Sequence, residues 1–243
     1  MTDRTANNSI TTSPQAYARV GGLLGLIIVV AGIFAEAFVR GKLIVSGDAA
    51  ATASNILASE QLFRIGFAGE LVMLCSDIGI AVILYVLLKP VSRNLALLAM
   101  SFRLVMAAIS GVNALNHIAV LSILGGANYL TVFGAEQLQA LAMLSLKVHT
   151  YGYHISLVFF GFHVLLLGYL IFRSGYLPKI IGLMLVIASF GYLTNSFATI
   201  LNLGFAKLLF PWILLPAFVA ELSLTLWLLV MGVNVPRWNA RRA

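Results

Sequence analysis

Long apolar runs, each close to the length needed to cross a lipid bilayer, constrain this chain more than any other feature of its sequence. About 20 apolar residues in a helix span roughly 30 Å of hydrocarbon. Six such runs follow one another, separated by short segments rich in Gly, Pro, Asn and basic residues; they cover residues 20–39, 65–88, 94–124, 150–172, 180–201 and 213–233. The sequence therefore predicts an all-α, polytopic bundle of about six transmembrane helices.

The composition excludes a water-soluble domain. Of the 243 residues, 61% are apolar and only 9% are charged, which leaves too little polar surface to cover a folded core in water. The net charge of +7 comes from basic residues that lie singly at the ends of the apolar runs, so no nucleic-acid partner is expected. Cys75 is the only cysteine, which excludes an intrachain disulfide and a cysteine metal cluster. We expect the lipid bilayer to be the main partner.

The segments outside the spans predict the rest of the organisation. Residues 1–17 are polar and lack apolar periodicity, as in a disordered tail; residues 18–236 form one transmembrane domain, and residues 237–243 form a basic tail. Asp48 precedes an alanine run as a helix N-cap would, which predicts a short interfacial helix on the extracytoplasmic side. Residues 135–149 mix Leu with Gln and Lys, which predicts a second interfacial helix. Pro216 is expected to kink the last span.

Basic residues predict the orientation, because the cytoplasmic ends of spans carry an excess of Lys and Arg. One side of the six-span arrangement holds nine of them: Arg4, Arg19, Lys89, Arg93, Arg173, Lys179, Arg237, Arg241 and Arg242. The other side holds five: Arg40, Lys42, Arg64, Lys147 and Lys207. We therefore predict a multi-pass protein of the cytoplasmic membrane with both termini in the cytoplasm.

Ionisable side chains inside the spans are the main candidates for function, because a charge in lipid costs several kcal/mol unless it is paired or hydrated. The candidate pocket residues are Glu70, Asp77, Arg103, His117, His154, His163, Asn195 and Glu221. Counted at about 1.5 Å per residue, most of them fall in the outer half of the bilayer. Asp77 and His163 lie nearer the midplane, and Arg103 lies in the inner half. This asymmetry predicts a polar region that faces outwards.

Three interpretations of these residues stay open. The first, which we favour, is an outward-facing pocket lined by His117, His154, Glu70 and Glu221 that binds or moves a small or lipid-like molecule. The second is a structural or accessory protein in which the polar residues only pack helices, with Asp77 and Arg103 as an ion pair. The sequence leaves the identity of any ligand, the direction of any transport and the oligomeric state undetermined.

The third interpretation is a membrane-embedded, metal-dependent hydrolase. A catalytic Zn²⁺ needs three protein ligands and one open position for water, and His117, His154 and Glu221, or His163 with Asp77, could supply them. The chain has no His-x-x-x-His or His-Glu-x-x-His spacing that would place two ligands side by side on one helix. Among the three interpretations, only the hydrolase has a cofactor, which is zinc.

Several short motifs resemble a bacterial membrane family known as domain of unknown function 4386. They are Lys-Leu-Ile-Val at 42–45, Gly-Asp-Ala-Ala at 47–50, Glu-Gln-Leu-Phe-Arg at 60–64, Ala-Glu-Gln-Leu-Gln-Ala-Leu at 135–141, Arg-Ser-Gly-Tyr-Leu-Pro at 173–178, Gly-Tyr-Leu at 191–193 and Asn-Ser-Phe at 195–197. The resemblance covers nearly the whole chain after residue 17. It implies a small polytopic protein of the bacterial cytoplasmic membrane, and it implies no activity and no catalytic residues.

Overall fold

The computed structural model describes residues 13–242, and in this range the chain is helical with short connections. The α-helices are α1 (Pro14–Ile33), α2 (Gly41–Leu43), α3 (Ala49–Ala58), α4 (Glu60–Leu88), α5 (Arg93–Leu124), α6 (Ala135–Ser174), α7 (Lys179–Ile200), α8 (Ala206–Leu209), α9 (Leu215–Val230) and α10 (Val235–Arg242). A π-helical turn, Phe34–Arg40, joins α1 to α2, and 3₁₀ turns cover Asn128–Leu130 and Trp212–Leu214.

Six segments of the described chain are long and apolar enough to cross a membrane: Pro14–Leu43, Glu60–Leu88, Arg93–Leu124, Ala135–Ser174, Lys179–Ile200 and Trp212–Val230. The predicted all-α bundle of six spans is thereby confirmed. We call the end of the bundle that holds α3 the α3 end. The opposite end, where α1 begins and α10 lies, is the termini end.

Local capping explains where several helices begin and end. Ser13 accepts a hydrogen bond from the backbone N–H of Ala16 at 3.2 Å, and Pro14 occupies the first helical position, where its missing N–H costs nothing. α1 therefore begins inside the segment predicted to be a disordered tail; residues 1–12 of that tail lie outside the described residues. Asp48 caps α3 as predicted, because its carboxylate accepts from the N–H of Ala51 at 2.8 Å.

The segment 135–149, predicted to be a separate interfacial helix, is instead the first part of α6. α6 continues for 40 residues, because the sequence from 135 to 174 holds no proline that would interrupt its hydrogen bonds. At about 1.5 Å per residue it is about 60 Å long, roughly twice the thickness of the hydrocarbon core. α6 therefore extends well beyond the membrane core at the α3 end.

The last span begins without the predicted kink. Pro216 is the second residue of α9, in the first turn, where no intrahelical partner for its nitrogen is required. The kink prediction was wrong because a 3₁₀ turn over Trp212–Leu214 ends where α9 starts. Most of the basic tail predicted at 237–243 is part of α10, which buries Trp238 against the bundle.

Packing closes the bundle into a ring. α6 packs between α5 and α7, α4 packs on α5, α7 packs on α9, and α1 packs on both α4 and α9. Gly22 and Gly25 of α1 allow this last contact, since they lie against Leu229 and Thr225 of α9. The side-chain amide of Gln15 also donates to the carbonyl of Met231 at 3.0 Å. The first and last spans are therefore neighbours.

At the termini end, one backbone carbonyl of α4 accepts two hydrogen bonds from buried aromatic side chains. The carbonyl of Leu87 accepts from Tyr176 Oη at 2.6 Å and from Trp238 Nε1 at 2.9 Å. Burial raises the pKa of Tyr176 above its usual range, so the hydroxyl keeps its proton and remains a donor. These bonds attach the 175–178 turn and α10 to α4.

Tyr176→Phe is expected to lower the free energy of unfolding by about 1 kcal/mol, because it removes one buried hydrogen bond and leaves the ring packing unchanged. The measurement is unfolding by sodium dodecyl sulfate in mixed micelles. Tyr169→Phe is the control: Tyr169 is exposed, and its substitution is expected to change the stability by less than about 0.5 kcal/mol. Equal effects of the two substitutions would contradict the role given to the Tyr176 hydroxyl.

Candidate metal centre

The eight candidate pocket residues fall into several separate groups in the structure. Glu70 and His117 belong to a cluster near the α3 end, and Asp77, Arg103 and His163 form a second cluster deeper in the bundle. Glu221 pairs with Tyr192 of α7, whose hydroxyl donates to it at 2.6 Å. His154 and Asn195 each have a buried side-chain nitrogen without a hydrogen-bond partner.

The cluster near the α3 end joins three helices through one carboxylate. Glu70 of α4 accepts from His117 Nδ1 of α5 at 2.9 Å, and its other oxygen accepts from His149 Nε2 of α6 at 3.2 Å. Both imidazoles are buried, and the Glu70 side chain is only 15% exposed. One potential ligand atom from each residue lies within 4.8 Å of the other two. A carboxylate and two imidazoles form a ligand set typical of Zn²⁺.

Arg40 determines which tautomer His149 adopts. The guanidinium Nη2 lies 2.8 Å from His149 Nδ1, and a guanidinium can only donate. His149 Nδ1 is therefore the acceptor, which leaves the ring proton on Nε2, where it is donated to Glu70. The arrangement is a hydrogen-bonded chain that runs from Arg40 through His149 to Glu70.

Neighbouring aromatic and amide side chains hold His117 and His149 in place. The rings of Phe63 and Phe67 lie nearly perpendicular to the ring of His117, with centroids at 4.4 and 6.0 Å from its centroid. The side-chain amide of Asn113 donates to the carbonyl of His149 at 2.8 Å, which ties α5 to α6 at this level. Residues that are held this firmly by their neighbours present a preorganised set of ligand atoms.

The cluster lies nearer the α3 end of the bundle than the termini end. His149 is about 21 Å from the start of α6 at Ala135, and the remainder of α6 is about 38 Å long. That remainder is enough to cross the hydrocarbon core. His149 therefore lies on the α3-end side of a stretch of α6 that is long enough to cross the core by itself.

The deeper cluster contains the ion pair that the sequence predicts. Arg103 Nε donates to Asp77 Oδ1 at 3.0 Å, and Arg103 Nη1 donates to His163 Nε2 at 3.1 Å. His163 Nδ1 donates to the carbonyl of Ala99 at 2.8 Å, so its proton position is defined. The Phe160 ring lies 5.3 Å from the guanidinium carbon. Both ring nitrogens of His163 are engaged, one with Arg103 and one with Ala99, which leaves this imidazole no lone pair for a metal ion.

The predicted metal ligands His117, His154 and Glu221 do not meet. Within residues 13–242, the group that comes together is Glu70, His117 and His149, so His117 is the one shared member. Depth along a helix cannot show which way a side chain points, and the polarity of residues 135–149 predicts that His149 lies in an interfacial segment outside the span. The continuity of α6, indicated by the absence of proline, would have placed His149 inside the bundle.

Two openings in the structure are relevant to whether a ligand larger than a metal ion could bind. A cavity of about 10 Å³ lies beside His163, which is room for about one water molecule. A groove of about 440 Å³ runs along α1 and is lined by the apolar residues Leu26, Ile27, Val30, Ala31 and Phe34. Neither opening is lined by Glu70, His117 or His149.

The fold defines the class of the protein, a multi-span helical membrane protein with buried polar clusters between its spans. Residues 20–232 match the family described as Domain of unknown function (DUF4386), and the chain belongs to that family. An uncharacterized protein of Archaeoglobus fulgidus is 34% identical over 164 residues, which is 68% of this chain and 82% of the relative. No solved structure matches the chain.

Proposed function

We propose that this protein binds a divalent metal ion, with Zn²⁺ as the best chemical fit, between Glu70, His117 and His149. The observation that carries the proposal is the meeting of one carboxylate and two buried imidazoles from three helices within 4.8 Å. Glu70 can turn a lone pair towards a shared ion, and each imidazole can do so once the proton that it donates to Glu70 moves to its other ring nitrogen.

A small cation suits this location better than a lipid-like molecule. The ligand atoms lie towards the α3 end and converge to within 4.8 Å of one another. The positive-inside count supports an orientation in which the α3 end faces outwards and both termini are cytoplasmic. In that orientation the metal would enter from the extracytoplasmic side of the cytoplasmic membrane.

Hydrolysis is the second candidate, because three protein ligands leave a fourth zinc position open for water. A hydrolase also needs a general base beside that water. Glu70 has one oxygen engaged with each imidazole, so it serves as a ligand and is not free to act as the base. The geometry therefore supports binding or transfer of the ion over hydrolysis.

Purified protein is expected to hold about one Zn²⁺ per chain after incubation with zinc and removal of the excess, as measured by elemental analysis. His117→Ala and His149→Ala are each expected to lower this ratio to below about 0.1, because two remaining ligands hold zinc weakly. His154→Ala is the matched control and is expected to keep the full ratio. A metal-free wild-type protein, or equal zinc content in His149→Ala, would contradict the proposal.

A further inference from the structure

Arg40 occupies a position that conflicts with a bound metal ion. Its Nη2 lies 2.8 Å from His149 Nδ1. A metal bound at His149 Nε2 requires the ring proton on Nδ1, where it is ordinarily donated to a carboxylate or carbonyl oxygen. Two N–H groups would then face each other, and a guanidinium charge would lie beside the metal charge. Metal binding and the observed position of Arg40 therefore exclude each other.

The structure also offers Arg40 a second partner. Glu36, four residues earlier on the π-helical turn, has its Oε2 3.8 Å from Arg40 Nε. The Glu36 side chain is 69% exposed, whereas that of Arg40 is 18% exposed. A rotation of one side chain would take the guanidinium from His149 to Glu36. π-helical turns are frequent at functional sites, and this one brings both groups to the edge of the cluster.

We propose, on the basis of the metal site proposed above, that Arg40 is a displaceable internal cation that closes the site. In the closed state, the charge of Arg40 balances that of Glu70 through His149. In the open state, the divalent ion binds Glu70, His117 and His149, and Arg40 pairs with Glu36. The protons of His117 and His149 move in the same step from the nitrogens that face Glu70 to the opposite ring nitrogens, so no proton is gained or lost.

The test is the affinity of the full-length protein for Zn²⁺ in detergent, measured by competition with a chromophoric chelator. Arg40→Gln is expected to tighten binding about 10-fold, because the competing cation is gone; outer partners of metal ligands change affinity by about 10–100-fold. Glu36→Gln is expected to weaken binding about 10-fold in the protein that retains Arg40. In the Arg40→Gln background, the same Glu36→Gln substitution is expected to have no effect.

The double-variant comparison separates displacement from a general charge effect. If Glu36→Gln weakens binding equally in both backgrounds, Glu36 acts by long-range attraction and the proposal is overturned. Equal affinities of wild type and Arg40→Gln would overturn it as well while leaving the metal site intact. Absence of Zn²⁺ binding in the wild type and in Arg40→Gln alike would remove the metal site itself.

Nitrogen-15 NMR of the histidines gives a readout that does not depend on affinity or on any variant. In the metal-free protein, the His149 Nε2 resonance is expected to show a bonded proton. On addition of Zn²⁺, the bonded proton is expected on Nδ1. A proton that stays on Nε2 in the zinc-loaded protein would overturn the displacement.

Discussion

Asp77→Ala is expected to lower the free energy of unfolding by about 3–5 kcal/mol, because it leaves the Arg103 guanidinium buried without its counter-charge. Asp77 and Arg103 are each less than a tenth exposed, and Asp77 accepts two of the hydrogen bonds that Arg103 donates. His163 is neutral beside Arg103, since it accepts from the guanidinium, and it cannot replace the lost carboxylate. The measurement is unfolding by sodium dodecyl sulfate in mixed micelles.

Two further variants make this prediction specific to the ion pair. Asp77→Leu combined with Arg103→Met removes both charges and is expected to recover most of the lost stability. Ser101→Ala, on the exposed side of α5, removes a hydroxyl that bonds only to its own helix at Leu97, and it is expected to change stability by less than about 0.5 kcal/mol. If the double variant is as unstable as Asp77→Ala, the buried charge is not the cause.

Gly22→Leu is expected to lower the free energy of unfolding by about 3 kcal/mol by separating α1 from α9. A Cβ atom at Gly22 would overlap the backbone nitrogen of Leu229, and a backbone atom cannot rotate away as a side chain can. The helices must therefore move apart, and the close packing on this side of the bundle is lost. The same unfolding assay measures the effect.

Gly69→Ala is the matched control for the glycine prediction. A Cβ atom at Gly69, in the middle of α4, would meet no atom within 4 Å. Alanine restricts the unfolded chain more than glycine does, so the expected change is a gain of up to about 1 kcal/mol. A loss at Gly69 as large as that at Gly22 would show that the fold is sensitive to glycine replacement in general and not to this contact.

Hydropathy was sufficient to predict the spans, because the cost of burying polar backbone in lipid permits only long apolar helices. It did not predict how α6 begins. Gln137, Gln139 and Lys147 lower the hydropathy of that segment, yet its backbone bonds continue without interruption into the span. Polarity along a helix describes the surrounding solvent and does not mark where the helix starts.

The pairing of the deeper charges could be predicted from depth, since Asp77 is expected nearer the midplane and the opposite charge of Arg103 in the inner half of the next span. Depth alone does not predict the cluster near the α3 end. Glu70 and Asp77 are seven residues apart, and Arg103 and His117 are fourteen apart, which puts each pair on one face of its helix. These two faces meet in the structure. The third member, His149, depended on the rotation of α6, which is determined by its contacts with α5.

The glycine contact between α1 and α9 has a consequence for assembly in the cell. α1 is made first and α9 last, so the face that holds Gly22 and Gly25 remains against lipid until four other spans have inserted. An apolar helix remains stable in this intermediate state because each span is stable in the bilayer by itself. Docking of α9 against α1 joins parts of the chain that are far apart in sequence, which is the slow kind of contact to form. Completion of the ring is thus a late event in the biogenesis of this protein.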